Sequence, residues 1–204
     1  MLTIYPAKEA QAGFILAHGA GAGQKSPFMV RFAKGMAGRG ITTATFDFAY
    51  IEAKKSVPDR APVLEQRWRD ALEEAKGAKE FKGLTIAIGG KSMGGRISSH
   101  IAAQGVDGVS ALVFLGYPLH PPGKPEQRRD EHLPRIAERM LFVQGSKDPF
   151  GTSEEIGALV PSLKHATMRV VPGGDHSFKV PGKQAQKDAA IEEIMDDVAA
   201  FLRA

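Results

Sequence analysis

The stretch Leu84-Thr-Ile-Ala-Ile-Gly-Gly-Lys-Ser-Met-Gly-Gly-Arg-Ile-Ser-Ser-His-Ile101 changes character at its centre. Leu84–Gly89 is apolar and β-branched, the pattern of a buried strand. Ile97 and Ile101, four residues apart, share one face of the helix that follows. Between them stands Gly90-Lys91-Ser92-Met93-Gly94, a G-x-S-x-G. Glycines on both sides of a serine permit a sharp strand-to-helix turn that lifts the hydroxyl to the edge of a sheet. The motif alone is weak, and a capping serine in a tight turn is the plain alternative. The strand before it and the helix after it favour a nucleophile at Ser92. Gly90-Lys91-Ser92 also ends a phosphate-loop signature, but Thr85 stands where the first glycine of that signature belongs. A phosphate loop is excluded.

The same alternation extends in both directions. Strands are read at Gly13–His18, Ile41–Phe48, Ser110–Leu115, Met140–Gln144 and Thr167–Val171. Ser26-Pro27 opens a helix with serine at the N-cap, and Met29, Phe32, Ala33 and Met36 give it one apolar face. Leu64, Trp68, Ala71, Leu72 and Ala75 make the next stripe. Thr152-Ser-Glu-Glu155 is a capping box before a short helix that stops by Pro161. Ile191, Ile194, Met195, Val198 and Leu202 form a closing helix. Strands apolar on both faces, alternating with amphipathic helices, predict an α/β fold: a doubly wound, mostly parallel sheet covered on both sides. Residues 1–204 are expected to form one domain, with a proline-rich surface excursion at 118–139 that holds five of the thirteen prolines.

Composition narrows the chemistry. With 204 residues, 43% of them hydrophobic and 25% charged, the chain is long enough to bury a full core without staples. Cysteine is absent, which excludes disulfides, thiolate metal sites and a thiol nucleophile. No His/Asp/Glu cluster has metal spacing, so neither a metal nor another cofactor is expected. The formal charge of +4 is spread as +4 over residues 1–60, +2 over 61–180 and −2 over 181–204. With no basic stripe and only 7% aromatics, nucleic-acid binding is not expected. The apolar run Phe14 to Ala17 is too short for a leader or a membrane span. The expected setting is cytoplasmic, without a membrane partner.

Ligands of open parallel sheets gather beyond the carboxyl ends of the strands, and three loops there carry unusual residues. Ser92 lies in the first. The second, His18-Gly19-Ala20-Gly21-Ala22-Gly23, breaks the dinucleotide fingerprint at Gln24 or Ser26 and reads as a bend with free amides. Its backbone N–H can serve an oxyanion hole together with that of Met93, while His18 reads as a structural residue that holds the loop. The third region presents Asp148 after one strand and His176 after the last. The order Ser92, Asp148, His176 is the chain order of one class of hydrolases and differs from the chymotrypsin and subtilisin orders. Asp175, the rival carboxylate, reads as a turn residue.

The four segments HGAGAG, GKSMGG, GSKDPFG and GGDHSF together resemble the α/β-hydrolase superfamily in its dienelactone-hydrolase-like neighbourhood. HGAGAGQKSPFM and GYPLHPPGKPE…EHLPRI further resemble a small family whose eukaryotic relatives include a testis-expressed protein and a subunit of the non-specific-lethal chromatin complex. The resemblance implies Ser92 as nucleophile, His176 as general base and Asp148 as its orienting acid. It also implies the amides of Ala20 and Met93 as the oxyanion hole, with Gly21 as a substitute for Ala20. The expected activity is that of a serine hydrolase, carboxylesterase-like, acting on a small-molecule acyl substrate. The alternatives are a catalytically silent binding or scaffold domain, or thioesterase, peptidase or acyltransferase chemistry on the same three residues. No cap domain is expected, so the site should be open and shallow. Lys25, Lys91, Lys147 and Lys179 form an expected rim whose field favours acidic esters if they face the site.

Overall fold

The computed structural model describes residues 1–204. Its strands are β1 (Thr3–Tyr5), β2 (Ala12–Ala17), β3 (Ile41–Phe46), β4 (Ile86–Lys91), β5 (Val109–Leu115), β6 (Arg139–Gly145) and β7 (Ala166–Val171). The helices are α1 (Pro27–Ala37), α2 (Ala49–Glu52), α3 (Ala61–Lys76), α4 (Met93–Ala103), α5 (Ser153–Leu159) and α6 (Gln184–Arg203). One seven-stranded sheet runs in the order β1-β3-β2-β4-β5-β6-β7. Every pairing is parallel except that of β1 with β3 at one edge. The three-residue β1 was not read from the sequence, being too short to show a period. The third strand ends two residues before the expected Phe48, because the chain turns into α2.

Period-two alternation divides the core into two layers. In β2, Ile15 and Ala17 join Trp68, Ile97, Ile101 and Ile156 on the face covered by α3, α4 and α5. Phe14 and Leu16 join Met29, Phe32, Met195 and Val198 on the face covered by α1 and α6. Successive side chains of a single strand thus supply both layers, which is why these strands are apolar throughout. Fully buried Trp68 also donates its indole N–H to the carbonyl of Gly94 (3.1 Å), fixing α3 against the first turn of α4.

Between β5 and β6 the chain inserts no separate cap domain, only the proline-rich stretch with one 3₁₀ turn at Leu133–Arg135. Residues 122–128 are exposed along the surface, as the prolines led one to expect, while the two ends of the stretch are anchored in the core. Leu119, Leu133 and Ile136 are buried in the core, and the Tyr117 hydroxyl donates to the Arg129 carbonyl (2.7 Å). Apolar residues spaced among the prolines pin it down without any regular period. Ser26 occupies the expected N-cap position of α1 but makes no capping bond, whereas Thr152 and Glu155 form the expected capping box. No helix is long and apolar enough to cross a membrane.

The sheet order reverses between β2 and β4, since the chain leaves β2 toward β3 on one side and β4 on the other. Such a reversal opens a crevice at the carboxyl ends of the two strands. The loop after β2 and the serine after β4 both border it.

Candidate active site

Ser92 sits between β4 and α4 with φ 50° and ψ −117°, a conformation that costs a non-glycine residue roughly 1–3 kcal/mol. Its amide donates to the Leu115 carbonyl (3.0 Å), which helps hold the turn. Room for the turn comes from missing side chains. A Cβ on Gly94 would lie 2.6 Å from the carbonyl oxygens of both Ala17 and His18, so only glycine lets α4 start this close to β2.

The structure brings the three expected residues together. The Ser92 hydroxyl donates to His176 Nε2 (2.8 Å), and His176 Nδ1–H donates to Asp148 Oδ2 (2.7 Å). Asp148 is fully buried after β6, where Oδ1 accepts the Phe150 amide (2.8 Å) and Oδ2 accepts the Gln144 side-chain amide (2.9 Å). Gln144 in turn donates to the Gly151 carbonyl (2.6 Å) and accepts the Tyr117 amide (2.8 Å), locking the turn that aims Asp148 inward. The Phe150 ring lies against the imidazole at 4.3 Å between centroids. Asp175, next to His176 in the chain, accepts the amides of Ser177 (2.8 Å) and Lys179 (2.9 Å) through Oδ1 and shapes a turn.

Met93 is the first residue of α4, where a backbone N–H has no partner inside its own helix. The Ala20 amide likewise has no acceptor in the chain, and Ala20 and Gly21 line the same cleft as Ser92. The loop that carries them is held from below. Fully buried His18 donates from Nδ1 to the Gly19 carbonyl (2.7 Å) and accepts the Phe48 amide at Nε2 (3.2 Å). Burial pushes its pKa below the ordinary histidine value, which keeps the ring neutral as that bonding pattern requires. Gln24 is tied to Asp47 and Thr45, and the Tyr50 hydroxyl donates to the Ala20 carbonyl (2.9 Å).

The cleft around Ser92 and His176 has a volume of about 750 Å³. It opens to solvent, as expected from a chain without a cap. The first turn of α1 and the N-terminal half of α6 supply apolar walls from Phe28, Met29 and Ile191, joined by Phe150 and Phe178. Of the four expected rim lysines, Lys91 and Lys179 line the cleft and Lys25 and Lys147 do not. Lys25 is exposed beside the tethered Gln24, and Lys147 points outward in the turn that turns Asp148 inward. Arg31 and Lys187 line it instead. They went unread because a charged residue on an amphipathic helix carries no local sign of what it faces. Gln144 was equally silent, its one signal being a polar residue at the end of an otherwise apolar strand.

A family model described as an alpha/beta hydrolase domain matches residues 10–203 of the chain. The chain belongs to the α/β-hydrolase family. Solved structures agree on the fold of this hydrolase. It is similar to an alpha-beta serine hydrolase homologue from Coxiella burnetii, with 19% identity and a TM-score of 0.76, covering 98% of this chain and 90% of that one. A dienelactone hydrolase from Anabaena variabilis gives the same identity and TM-score, over 98% and 88% of the two chains. An α/β serine hydrolase without lid from Xanthomonas campestris matches at 16% identity and a TM-score of 0.75, over 100% and 89%. These likenesses establish the fold, while the polar geometry around Ser92 is this chain's own.

Proposed function

We propose that this α/β-hydrolase is a serine hydrolase of ester-type acyl substrates, carboxylesterase-like, working as one domain over residues 1–204 without a cofactor. Within the superfamily, the reading places it with the small family resembled by HGAGAGQKSPFM. The observation that carries the proposal is the unbroken chain of hydrogen bonds from Ser92 through His176 to Asp148, with Ser92 in a strained turn.

In this reading the Ser92 oxygen attacks the scissile carbonyl as His176 Nε2 takes the hydroxyl proton. Asp148 keeps the Nδ1–H tautomer and stabilises the imidazolium. The amides of Ala20 and Met93 receive the oxyanion, which the N-terminus of α4 also favours. The imidazolium then gives its proton to the leaving alkoxide, and an acyl-Ser92 ester remains. Water, deprotonated by His176, attacks that ester and releases the carboxylic acid, which restores the serine.

A fluorophosphonate probe tests the assignment. The native protein should be labelled at Ser92 and the Ser92→Ala protein should not. Absence of labelling in both would leave a binding domain on a hydrolase fold.

A further inference from the structure

The charges lining the cleft fall into two groups. Arg31 is neutralised, because it bridges α1 to Asp188 and Glu192 of α6. Asp188 is the acidic wall residue and is engaged in that bridge. Lys91, Lys179 and Lys187 form no ion pair. All the uncompensated charge of the walls is therefore positive.

Lys91 is the most constrained of the three. It is half-buried, with its ammonium 5.5 Å from the centroid of the Phe178 ring and packed against Gly116. Asp148 and Asp175 act on this ammonium only from beyond ion-pair distance, so a bound anion would further offset the cost of its desolvation. The first turn of α1 opens on the same space, and Ser26 leaves its amides uncapped. Phe28, Phe150 and Phe178 supply aromatic faces, set among the polar side chains of Ser26, Ser177 and Gln184. Such a volume takes a ligand of moderate size, larger than a bare acetyl ester.

Resting on the hydrolase reading above, we propose that the preferred substrate has two parts. One is an apolar or aromatic body laid against Phe28, Phe150 and Phe178. The other is a carboxylate or phosphate read by Lys179 and Lys187, with Lys91 adding to the field. Neutral esters fit the apolar walls but leave Lys179 and Lys187 without a counter-charge.

The test compares kcat/KM within matched pairs. p-Nitrophenyl hemisuccinate is set against p-nitrophenyl 4-methylpentanoate, which replaces the carboxylate by an isopropyl group. The acetyl ester of glycerol 3-phosphate is set against glyceryl monoacetate. A preference of roughly tenfold for a charged member is expected, and it should shrink as salt rises. The pair that shows it distinguishes a carboxylate from a phosphate. In Lys179→Gln/Lys187→Gln the charged-to-neutral ratio should fall toward unity. Equal kcat/KM within both pairs, or a preference that survives the double substitution, overturns the proposal. If no ester is turned over, the hydrolase reading fails. Calorimetric binding of the same pairs to Ser92→Ala protein then decides: tighter binding of a charged member supports anion recognition, and equal binding overturns it.

Discussion

Asp148 reaches His176 from 28 positions away in the chain, while Asp175, covalently adjacent to His176, turns away from the imidazole. Asp148 Oδ2 lies 2.7 Å from Nδ1, whereas Asp175 Oδ1 accepts the amides of Ser177 and Lys179. Neighbouring side chains on an extended or turning backbone diverge, and a loop from another strand end can approach the ring in its plane. The two carboxylates should therefore differ in kinetics. Asp148→Asn should lower kcat on the order of 10⁴-fold with the fold retained by circular dichroism. Asp175→Asn should cost far less, and mainly in stability. A steady-state assay on one activated ester separates them, and the reverse ranking would reassign the acid.

Ser92 pays for its position with backbone strain, which gives a second prediction. Glycine accepts φ 50° and ψ −117° freely, so Ser92→Gly should abolish turnover and yet raise stability by about 1 kcal/mol. Ser92→Ala keeps the strain and loses the bond to His176, so it should show no such gain. Urea unfolding of the three proteins measures the difference.

Close packing at the start of α4 gives a third. In Gly94→Ala the new methyl meets the carbonyls of Ala17 and His18, neither of which can yield without moving β2. Stability should fall by about 1–3 kcal/mol. Activity should fall by more than the lost folded fraction, because the Met93 amide shifts with the helix. Comparison of fluorophosphonate labelling rate per folded molecule checks this.

The Lys91 ammonium has a pKa pushed down by burial to about 8 from the ordinary 10.5, with Asp148 and Asp175 pulling it back up. The unfolded chain therefore binds the proton more tightly than the folded one between pH 8 and 10.5. Stability from this residue rises with pH across that window, and below pH 8 its charge is a standing cost on the order of 3 kcal/mol. Lys91→Met should be more stable than the native chain at pH 7, with the difference fading toward pH 10.5. Denaturant midpoints at pH 7, 9 and 10.5 measure it, and a difference independent of pH would show that packing alone is responsible.

Histidines set the acid side. Burial lowers the pKa of His132 to about 4, and that of His18 and His100 also lies below 6.5. His132 accepts from or donates to Ser99 (2.7 Å) between the proline-rich stretch and α4. Each depressed histidine favours the folded state while neutral, so stability is lost as pH falls from about 6.5 toward 4. His132→Gln should flatten that decline, as read from thermal unfolding across this range.

How far the chain could be read followed from the range of each signal. Strands and helices announce themselves through local periods, and the glycines around Ser92 through a local backbone demand. The doubly wound sheet and the candidate nucleophile were therefore legible within a few dozen residues. The order Ser92, Asp148, His176 was visible as well, but order carries no distance. What brought those groups within 2.7–2.8 Å was the register of β4, β6 and β7 in a sheet whose pairings are all remote in sequence. The walls of the cleft show the same limit more sharply. Phe28 and Arg31 lie on α1, Lys187 and Ile191 on α6, and nothing in either helix marks it as facing the serine. The sequence alone determined which residues can do chemistry and which elements they follow, because those depend on neighbours along the chain. Only the tertiary structure decided which lysines face the cleft, how the proline-rich stretch is pinned, and what surrounds Ser92, because burial depends on elements packed from afar.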